Sequence, residues 1–284
     1  AILNVPTILY PTIQSAINAA TNGDTVLVQP GTYQETIDFL GKEITVESSG
    51  GASVTTIDAN QLDTVVYFWN NETDVTILDG FTLTGGIGYF EPWYEQRLGG
   101  AIFVYQSYPT IRNCILVNNS TDSYGGAVYI DFVHIETITF ENCSFMNNSS
   151  LRGGAIYCAR TNLNLDGCNI SGNTADFGGG IEAKESGTSV TTLTMTDCVI
   201  DGNYAEVLGG GMRLGQKGES HINGCEIKNN IANGQNGGGC IVENTYEFTQ
   251  CVFQENAAFS GNGGAVSIGS YGGFSPSFTD CEFS

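Results

Sequence analysis

Two short motifs alternate along the chain, each recurring at a mean spacing of about 27 residues. One is a glycine pair followed by Ala or Gly and an apolar residue, and the other reads Cys-x-[Ile/Leu/Phe]-x-x-Asn. The glycine pairs begin at Gly99, Gly125, Gly153, Gly178, Gly209, Gly237 and Gly263, and the cysteine motifs begin at Cys114, Cys143, Cys168, Cys198, Cys225, Cys251 and Cys281. Apolar and polar residues alternate before and after each cysteine and after each glycine pair, which is the pattern of short β-strands.

Three short strands and tight bends in each repeat predict an all-β parallel solenoid, whose coils lie about 4.8 Å apart. The bends carry Asn, Gly and Asp, which tolerate left-handed backbone. Stacking would place the motif asparagines in an inward asparagine ladder and the motif cysteines in a cysteine ladder. These asparagines are Asn119, Asn148, Asn173, Asn203, Asn230 and Asn256.

The first hundred residues follow this plan less regularly. Residues 12–21 place Ile13, Ala16 and Ile17 on one helical face, and Gly23 is a suitable stop. Because the open end of a solenoid must be covered, we interpret this helix as an N-terminal cap. We predict one domain, 1–284, with the cap in 1–22, irregular coils and an aromatic loop in 23–98, and regular repeats in 99–284.

The seventh cysteine motif stops at Ser284, before its asparagine. A solenoid cut at this point exposes apolar side chains and strand edges, which pair with other chains unless they are covered. We therefore expect the chain to continue beyond Ser284, or its C-terminal end to associate with another copy or subunit.

The segment from Gly23 to Ile37, Gly-Asp-Thr-Val-Leu-Val-Gln-Pro-Gly-Thr-Tyr-Gln-Glu-Thr-Ile, resembles the start of right-handed parallel β-helix proteins of the pectin-lyase-like superfamily. The Gly-Gly-Ala-Ile and Phe-x-x-Asn motifs resemble the repeats of chlamydial polymorphic outer membrane proteins. Both resemblances imply a right-handed parallel β-helix, the hand that parallel crossovers generally adopt. They leave the activity open, because one fold carries many functions.

The charge of the chain excludes some partners. Nine Lys and Arg against 30 Asp and Glu give a net charge of −21, which works against nucleic acid and anionic membranes. The longest apolar runs are short, as in residues 65–69, so we predict no membrane insertion. An acidic surface can hold structural calcium, but no motif marks a calcium site, and we predict no cofactor.

The nine cysteines raise the alternatives of disulfides and a metal site. No Cys-x-x-Cys pair is present, which argues against zinc. Stacked cysteines would have near-parallel Cβ vectors about 4.8 Å apart, beyond the usual disulfide range. We predict buried free thiols.

An aromatic-rich segment interrupts the repeat between Gly86 and Gly99, and the strands that follow carry outward aromatic residues. Loops on rigid scaffolds often carry function, and outward aromatic rings bind sugar faces or protein partners. The alternative is that the segment folds over these rings and buries them as a satellite core. The candidate ligand-binding residues are Tyr89, Phe90, Trp93, Tyr94, Phe103, Tyr105, Tyr129 and Tyr157.

Pectin-lyase-like folds often carry polysaccharide lyases or glycoside hydrolases, and a hydrolase needs two carboxylates about 5–10 Å apart. No lyase, hydrolase or epimerase motif is recognisable here. Glu247 is expected beside His221 on adjacent coils, but two such residues alone are a weak indication of a catalytic site. We interpret His134 and His221 as surface histidines. We therefore predict a non-catalytic, secreted or cell-surface protein with an adhesive, structural or glycan-binding role, whose partner is a polysaccharide or a surface protein. The alternative is a polysaccharide lyase or glycoside hydrolase on the same fold.

Overall fold

The computed structural model of the protein describes residues 1–131, 136–184, 191–215, 220–234, 236–269 and 275–284. The described strands form sheets of eleven, ten, nine and four parallel strands, here called sheets A, B, C and D, and one antiparallel hairpin. Within a coil the chain passes from sheet C to sheet A, then through the cysteine motif into sheet B. The predicted parallel β-helix is confirmed.

Sheet A consists of Ile2–Val5, Thr25–Val28, Thr45–Ser48, Ile77–Asp79, Thr110–Arg112, Thr137–Glu141, Asn162–Asp166, Thr192–Thr196, Ser220–Asn223, Tyr246–Thr249 and Ser277–Thr279. Sheet B consists of Gly31–Tyr33, Thr55–Asp58, Thr82–Thr84, Ile115–Val117, Ser144–Met146, Asn169–Ser171, Val199–Asp201, Glu226–Lys228, Val252–Gln254 and Glu282–Phe283.

Sheet C consists of Ile37–Asp38, Val66–Phe68, Ile102–Tyr105, Val128–Asp131, Ile156–Ala159, Ile181–Lys184, Met212–Leu214, Cys240–Val242 and Val266–Ile268. Sheet D consists of Thr174–Phe177, Tyr204–Leu208, Ile231–Ala232 and Ala257–Ala258, and the hairpin of Tyr89–Glu91 and Gln96–Leu98.

Sheet D adds a fourth strand to coils for which the sequence predicted three. It follows the motif asparagine, in the segment that was predicted as a bend. Isolated bridges between Ser120 and Ser149, and between Ser149 and Thr174, continue the same line of pairing into earlier coils. The difference arises because an extended backbone in this segment pairs with the coil above it even where few apolar residues mark a strand.

The described residues contain one helix, α1 (Ile13–Ala19), which caps the interior. The helix is shorter at both ends than the predicted 12–21. Thr12 is the N-cap and lies outside the helix, and the carbonyls of the last turn are hydrogen-bonded by Lys42, so the helix ends before Gly23. The Lys42 Nζ donates to three backbone carbonyls at the C-terminal end of the helix, and the carboxylate of Glu35 accepts the first two backbone N–H groups. The negative charge of Glu35 therefore stabilises the N-terminal end of the helix dipole, and the positive charge of Lys42 stabilises its C-terminal end.

The six motif asparagines lie in one column inside the coils, here called the asparagine column. From Asn119 to Asn230, each Nδ2 donates to Oδ1 of the next asparagine and to a carbonyl of the preceding coil. At Asn148 these distances are 3.0 Å to Asn173 and 2.9 Å to the carbonyl of Leu116. The backbone N–H of Asn148 also donates to Asn173, at 2.9 Å, so each asparagine joins three successive coils.

The cysteines and glycines fit the same stacking. All nine cysteines are free thiols; eight are buried, and burial raises the pKa of Cys158 and Cys240. The second glycine of a pair lies against the coil above: a Cβ added at Gly154 would lie 2.1 Å from the carbonyl oxygen of Gly179. Residues just before the motif cysteines have left-handed backbone, with φ of 53° at Asn113. These positions therefore need glycine or a residue that tolerates the bend.

Replacing Asn173 by Ala tests the asparagine column. The substitution leaves the backbone N–H of Asn148 and the carbonyl of Phe145 without their side-chain partner. We expect the free energy of unfolding, measured by urea denaturation, to fall by about 1–3 kcal/mol. The control is Asn164→Ala, at an outward position of sheet A, which should change it by less than about 0.5 kcal/mol. Equal effects of the two substitutions would contradict a special role for the column.

Candidate binding cleft

Four aromatic side chains form a line on the outward face of sheet C, here called the aromatic column. Parallel pairing places Tyr67 beside Phe103, Phe103 beside Tyr129, and Tyr129 beside Tyr157. The rings of Phe103 and Tyr129 stack with centroids 5.5 Å apart and planes 9° apart, and those of Tyr129 and Tyr157 with centroids 5.6 Å apart and planes 4° apart. Because the strands pair in register, the aromatic residues at equivalent positions of successive coils lie side by side and form a continuous surface.

The hairpin forms one wall beside this column. Strand alternation directs Tyr89 towards the column, where its ring centroid lies 4.9 Å from that of Phe103. Leu98, the pairing partner of Tyr89, is buried with Phe103 and Tyr67. Phe90 is half-exposed and lies under the guanidinium of Arg97, 5.7 Å from its ring centroid. Part of the aromatic segment therefore packs on the column as a satellite core.

The remaining aromatic side chains surround an open cleft of about 1060 Å³. Trp93 and Tyr94, between the two hairpin strands, are 91% and 75% exposed, whereas Trp69 and Tyr105 are 38% and 37% exposed. The cleft is lined by Trp69, Tyr89, Glu91, Trp93, Tyr94, Gln96, Leu98, Phe103, Tyr105, Tyr124, Tyr129, Asp131, Tyr157 and Arg160. A volume of this size suits a ligand larger than one sugar ring.

Polar groups with fixed positions lie on the floor of the cleft. Arg160 binds Asp131 through two hydrogen bonds, from Nε to Oδ1 at 2.8 Å and from Nη2 to Oδ2 at 2.6 Å. The Tyr129 hydroxyl donates to the same carboxylate at 3.0 Å. Trp69 Nε1 donates to Asp38 at 2.8 Å, which holds the indole at the rim. Side chains held in this way present hydrogen-bonding groups to a ligand without first having to be ordered.

Seven of the eight predicted residues line this one cleft. The exception is Phe90, which strand alternation places on the hairpin face opposite to Tyr89 and Glu91. Phe103 and Tyr157 are outward as predicted but only 5% and 9% exposed, so they form the covered floor of the cleft.

The sequence did not single out several lining residues: Trp69, Tyr124, Asp131 and Arg160. Trp69 ends the apolar run 65–69, and Asp131 lies two residues after Tyr129 on an outward position, which are the signals that could have found them. Arg160 approaches Asp131 from the following coil, and no local pattern marks that contact.

His221, which was considered as a possible catalytic residue, does not line the cleft. His221 Nδ1 and Glu247 Oε2 are 2.9 Å apart on adjacent strands of sheet A, and both side chains are more than half exposed. His134 lies outside the described residues. Among the described residues, no group of three or more His, Cys, Asp or Glu is placed to hold a metal ion, and no helix is long and apolar enough to cross a membrane.

Comparison with known proteins identifies the family. Residues 42–284 match the model of the right-handed β-helix region, and the chain belongs to this family, which has the predicted handedness. Among curated proteins, none matches the sequence significantly.

Solved structures share the fold. A pectin methylesterase from carrot superposes with a TM-score of 0.56 at 13% identity, covering 97% of this chain and 87% of that one. A pectate lyase has a TM-score of 0.55 at 17% identity, covering 90% and 72%. A pectin methylesterase from Aspergillus niger has a TM-score of 0.51 at 14% identity, covering 100% and 85%. At these identities the likeness supports the pectin-lyase-like fold and does not extend to activity.

Alkaline titration tests the packing of the aromatic column. Burial raises the pKa of Tyr67, Tyr129 and Tyr157 above the usual value of 10.0, and the neighbouring carboxylates of Asp63, Asp131 and Glu182 respectively raise it further. A phenol with a raised pKa in the folded state contributes stability that is present below about pH 10 and is lost at higher pH. We expect the free energy of unfolding to fall above about pH 10.

The phenolate absorbance of the folded protein should accordingly rise over a wider pH range, extending to higher pH, than that of the urea-unfolded chain. Complete ionisation of all tyrosines along the curve of the unfolded chain, while the protein stays folded by circular dichroism, would contradict the buried column.

Proposed function

We propose that this member of the right-handed β-helix family is a secreted or cell-surface protein that binds a polysaccharide in the aromatic cleft without cleaving it. The observation that carries the proposal is the combination, in one open cleft, of exposed aromatic faces with hydrogen-bonding groups in fixed positions. The cleft follows the stacking direction of the coils along sheet C, so an extended chain fits it better than a compact ligand.

The aromatic side chains supply the apolar part of the binding. A sugar ring has faces of C–H groups, which pack on aromatic rings, while its edge carries hydroxyl groups. Trp93 and Tyr94 are largely exposed on the hairpin, with Trp69 and Tyr105 half-exposed at the rim. Large exposed aromatic side chains around one cleft indicate a surface that is covered when a ligand binds.

The polar side chains would determine how a ligand is oriented in the cleft. Glu91, Gln96, Asp131 and Arg160 line the same cleft, so donors and acceptors lie within one site. Ligand sites combine an apolar lining with a few fixed polar groups in this way. The names of the similar structures, pectin methylesterase and pectate lyase, refer to pectin and pectate, which supports a polysaccharide as the ligand class proposed for this chain.

The proposed location rests on the sequence. The net charge of −21 favours solubility and disfavours nucleic acid as a partner. The resemblance of the repeats to chlamydial polymorphic outer membrane proteins favours the cell surface, where adhesion to a polysaccharide or a surface protein is the expected role.

A catalytic role on the same cleft is the second candidate, because two carboxylates, Glu91 and Asp131, line it. A glycoside hydrolase needs such a pair, but Asp131 is engaged by both Arg160 and Tyr129. Incubation with pectate, alginate and chitin should release no new reducing ends and no unsaturated products. Sustained turnover that is lost in Glu91→Gln would overturn the non-catalytic proposal.

Substitution of Trp93 tests the binding proposal. Pectate, alginate and chitin oligosaccharides are first screened by tryptophan fluorescence and calorimetry. For an oligosaccharide that binds, Trp93→Ala should weaken the affinity about tenfold, because an aromatic platform is lost. Phe259→Ala, which removes a ring that is 68% exposed and does not line the cleft, is the control and should leave the affinity unchanged. Absence of binding throughout the screen, or equal losses in the two variants, would contradict the proposal.

A further inference from the structure

The outward line of sheet C continues beyond the aromatic column into a charged cluster. Parallel pairing places Glu182 beside Tyr157, and Arg213 beside Glu182. Tyr157 lines the cleft, so the cluster begins one strand beyond it. Arg152, from the bend before the Tyr157 strand, approaches the same carboxylate.

The carboxylate of Glu182 is only half satisfied. Its side chain is 1% exposed, and Arg213 Nη1 donates to Oε1 at 3.0 Å. Arg152 Nη1 lies 3.5 Å from the same oxygen. Oε2 is buried and has no hydrogen-bond partner among the described residues. A buried carboxylate with one unpaired oxygen is costly, so Glu182 depends on the positive charges of the two arginines beside it.

The two arginines are held in place by an aromatic ring as well as by Glu182. Their guanidinium groups lie over the ring of Phe177, 4.7 Å from its centroid for Arg152 and 5.2 Å for Arg213. Glu243 is 3.8 Å from Arg213. In the described part of the chain, the guanidinium of Arg152 has only this long ion pair with Glu182, although its side chain is only 17% exposed.

Lys184 adds a third positive charge to this cluster. It lies two residues after Glu182 on the same strand, and within the described ranges its ammonium group has no ion-pair partner. Burial lowers its pKa, and the positive charge of Arg152 lowers it further. Three basic side chains and two carboxylates, those of Glu182 and Glu243, thus belong to this part of the outward surface.

Basic residues are concentrated on this side of the molecule. The chain has only nine Lys and Arg in total against 30 Asp and Glu. Five of the nine occur in the hairpin or on and beside sheet C: Arg97, Arg152, Arg160, Lys184 and Arg213. A positive cluster on so acidic a chain attracts anions locally, although the chain as a whole repels them.

We infer that Arg152, Lys184 and Arg213 form an anion subsite, which binds a carboxylate or sulfate group on a sugar. The anionic oxygens accept hydrogen bonds from Arg152 and Lys184. Glu182 holds the two arginines together behind the ligand. The inference rests on the proposed function in that the subsite extends the same binding surface.

Titration of the wild-type protein with monosaccharides tests the subsite apart from polysaccharide binding. The probes are sodium glucuronate, glucose 6-sulfate and glucose, added at equal concentrations and constant ionic strength to protein with 15N-labelled arginine. We expect both anions to shift the Nε–Hε resonances of Arg152 and Arg213, and glucose to leave them in place. Shifts with glucuronate alone or with the sulfate alone identify which anion the subsite prefers. No shift with either anion overturns the inference.

Charge-removing variants assign the site. Arg152→Met and Lys184→Met keep an apolar stem and should each weaken glucuronate binding about tenfold. Lys228→Met is the matched control, because it removes the same charge from sheet B, where Lys228 is paired with Glu226, and should have little effect. Equal weakening in all three variants would attribute the binding to net charge and overturn the subsite.

The two proposals fail separately. If the anions shift the arginine resonances but no polysaccharide binds, the subsite stands and the proposed function fails. If a polysaccharide binds through Trp93 but neither anion affects the arginines, the proposed function stands and the subsite fails.

Discussion

The register between successive coils is the constraint on which the rest of this structure depends. The asparagine column fixes it, because each side chain accepts from the preceding coil and donates both to that coil and to the next one, as at Asn148. The glycine pairs fix it at another edge, since only a hydrogen fits against the carbonyl of the next coil at Gly154. With the register fixed, equivalent positions in neighbouring coils lie side by side, and a repeated residue type becomes a continuous surface.

The cleft is a direct product of that register. Aromatic residues at one outward position of sheet C stack into a floor, and the hairpin covers part of it and adds Trp93 and Tyr94 at the rim. The same outward line then changes to Glu182 and Arg213, so apolar and charged binding surfaces follow each other along the stack. A rigid surface of this kind loses little conformational entropy on binding, which suits an extended, flexible polysaccharide.

Much of the fold could be predicted from the sequence, because the repeat shows how many residues form a coil, which side chains point inward and where the chain bends. The motif asparagines and cysteines, at one spacing along most of the chain, specify a stack of coils before any contact is known. Sheet D was missed because its pairing comes from the coil above and leaves a weak local pattern. The cap ends where Lys42 meets the helix carbonyls, a contact from a later coil that the helix sequence does not contain.

The site was predictable in part for the same reason. Tyr129 and Tyr157 follow the repeat and were found, whereas the pairing of Asp131 with Arg160 joins two coils through side chains at different positions. Phe90 was grouped with Tyr89 by composition, but alternation along a strand separates them. The charged cluster around Glu182 likewise gathers residues from four coils and has no counterpart in a local motif.

Hydroxyl-radical footprinting with mass spectrometry measures most directly whether the cleft is the binding surface. The protein is oxidised with and without the oligosaccharide that binds most tightly. Our account predicts protection of Trp69, Trp93, Tyr94 and Tyr105, with Phe259 oxidised equally in both samples. Protection centred on the His221 and Glu247 face of sheet A, or unchanged oxidation of the cleft, would contradict it.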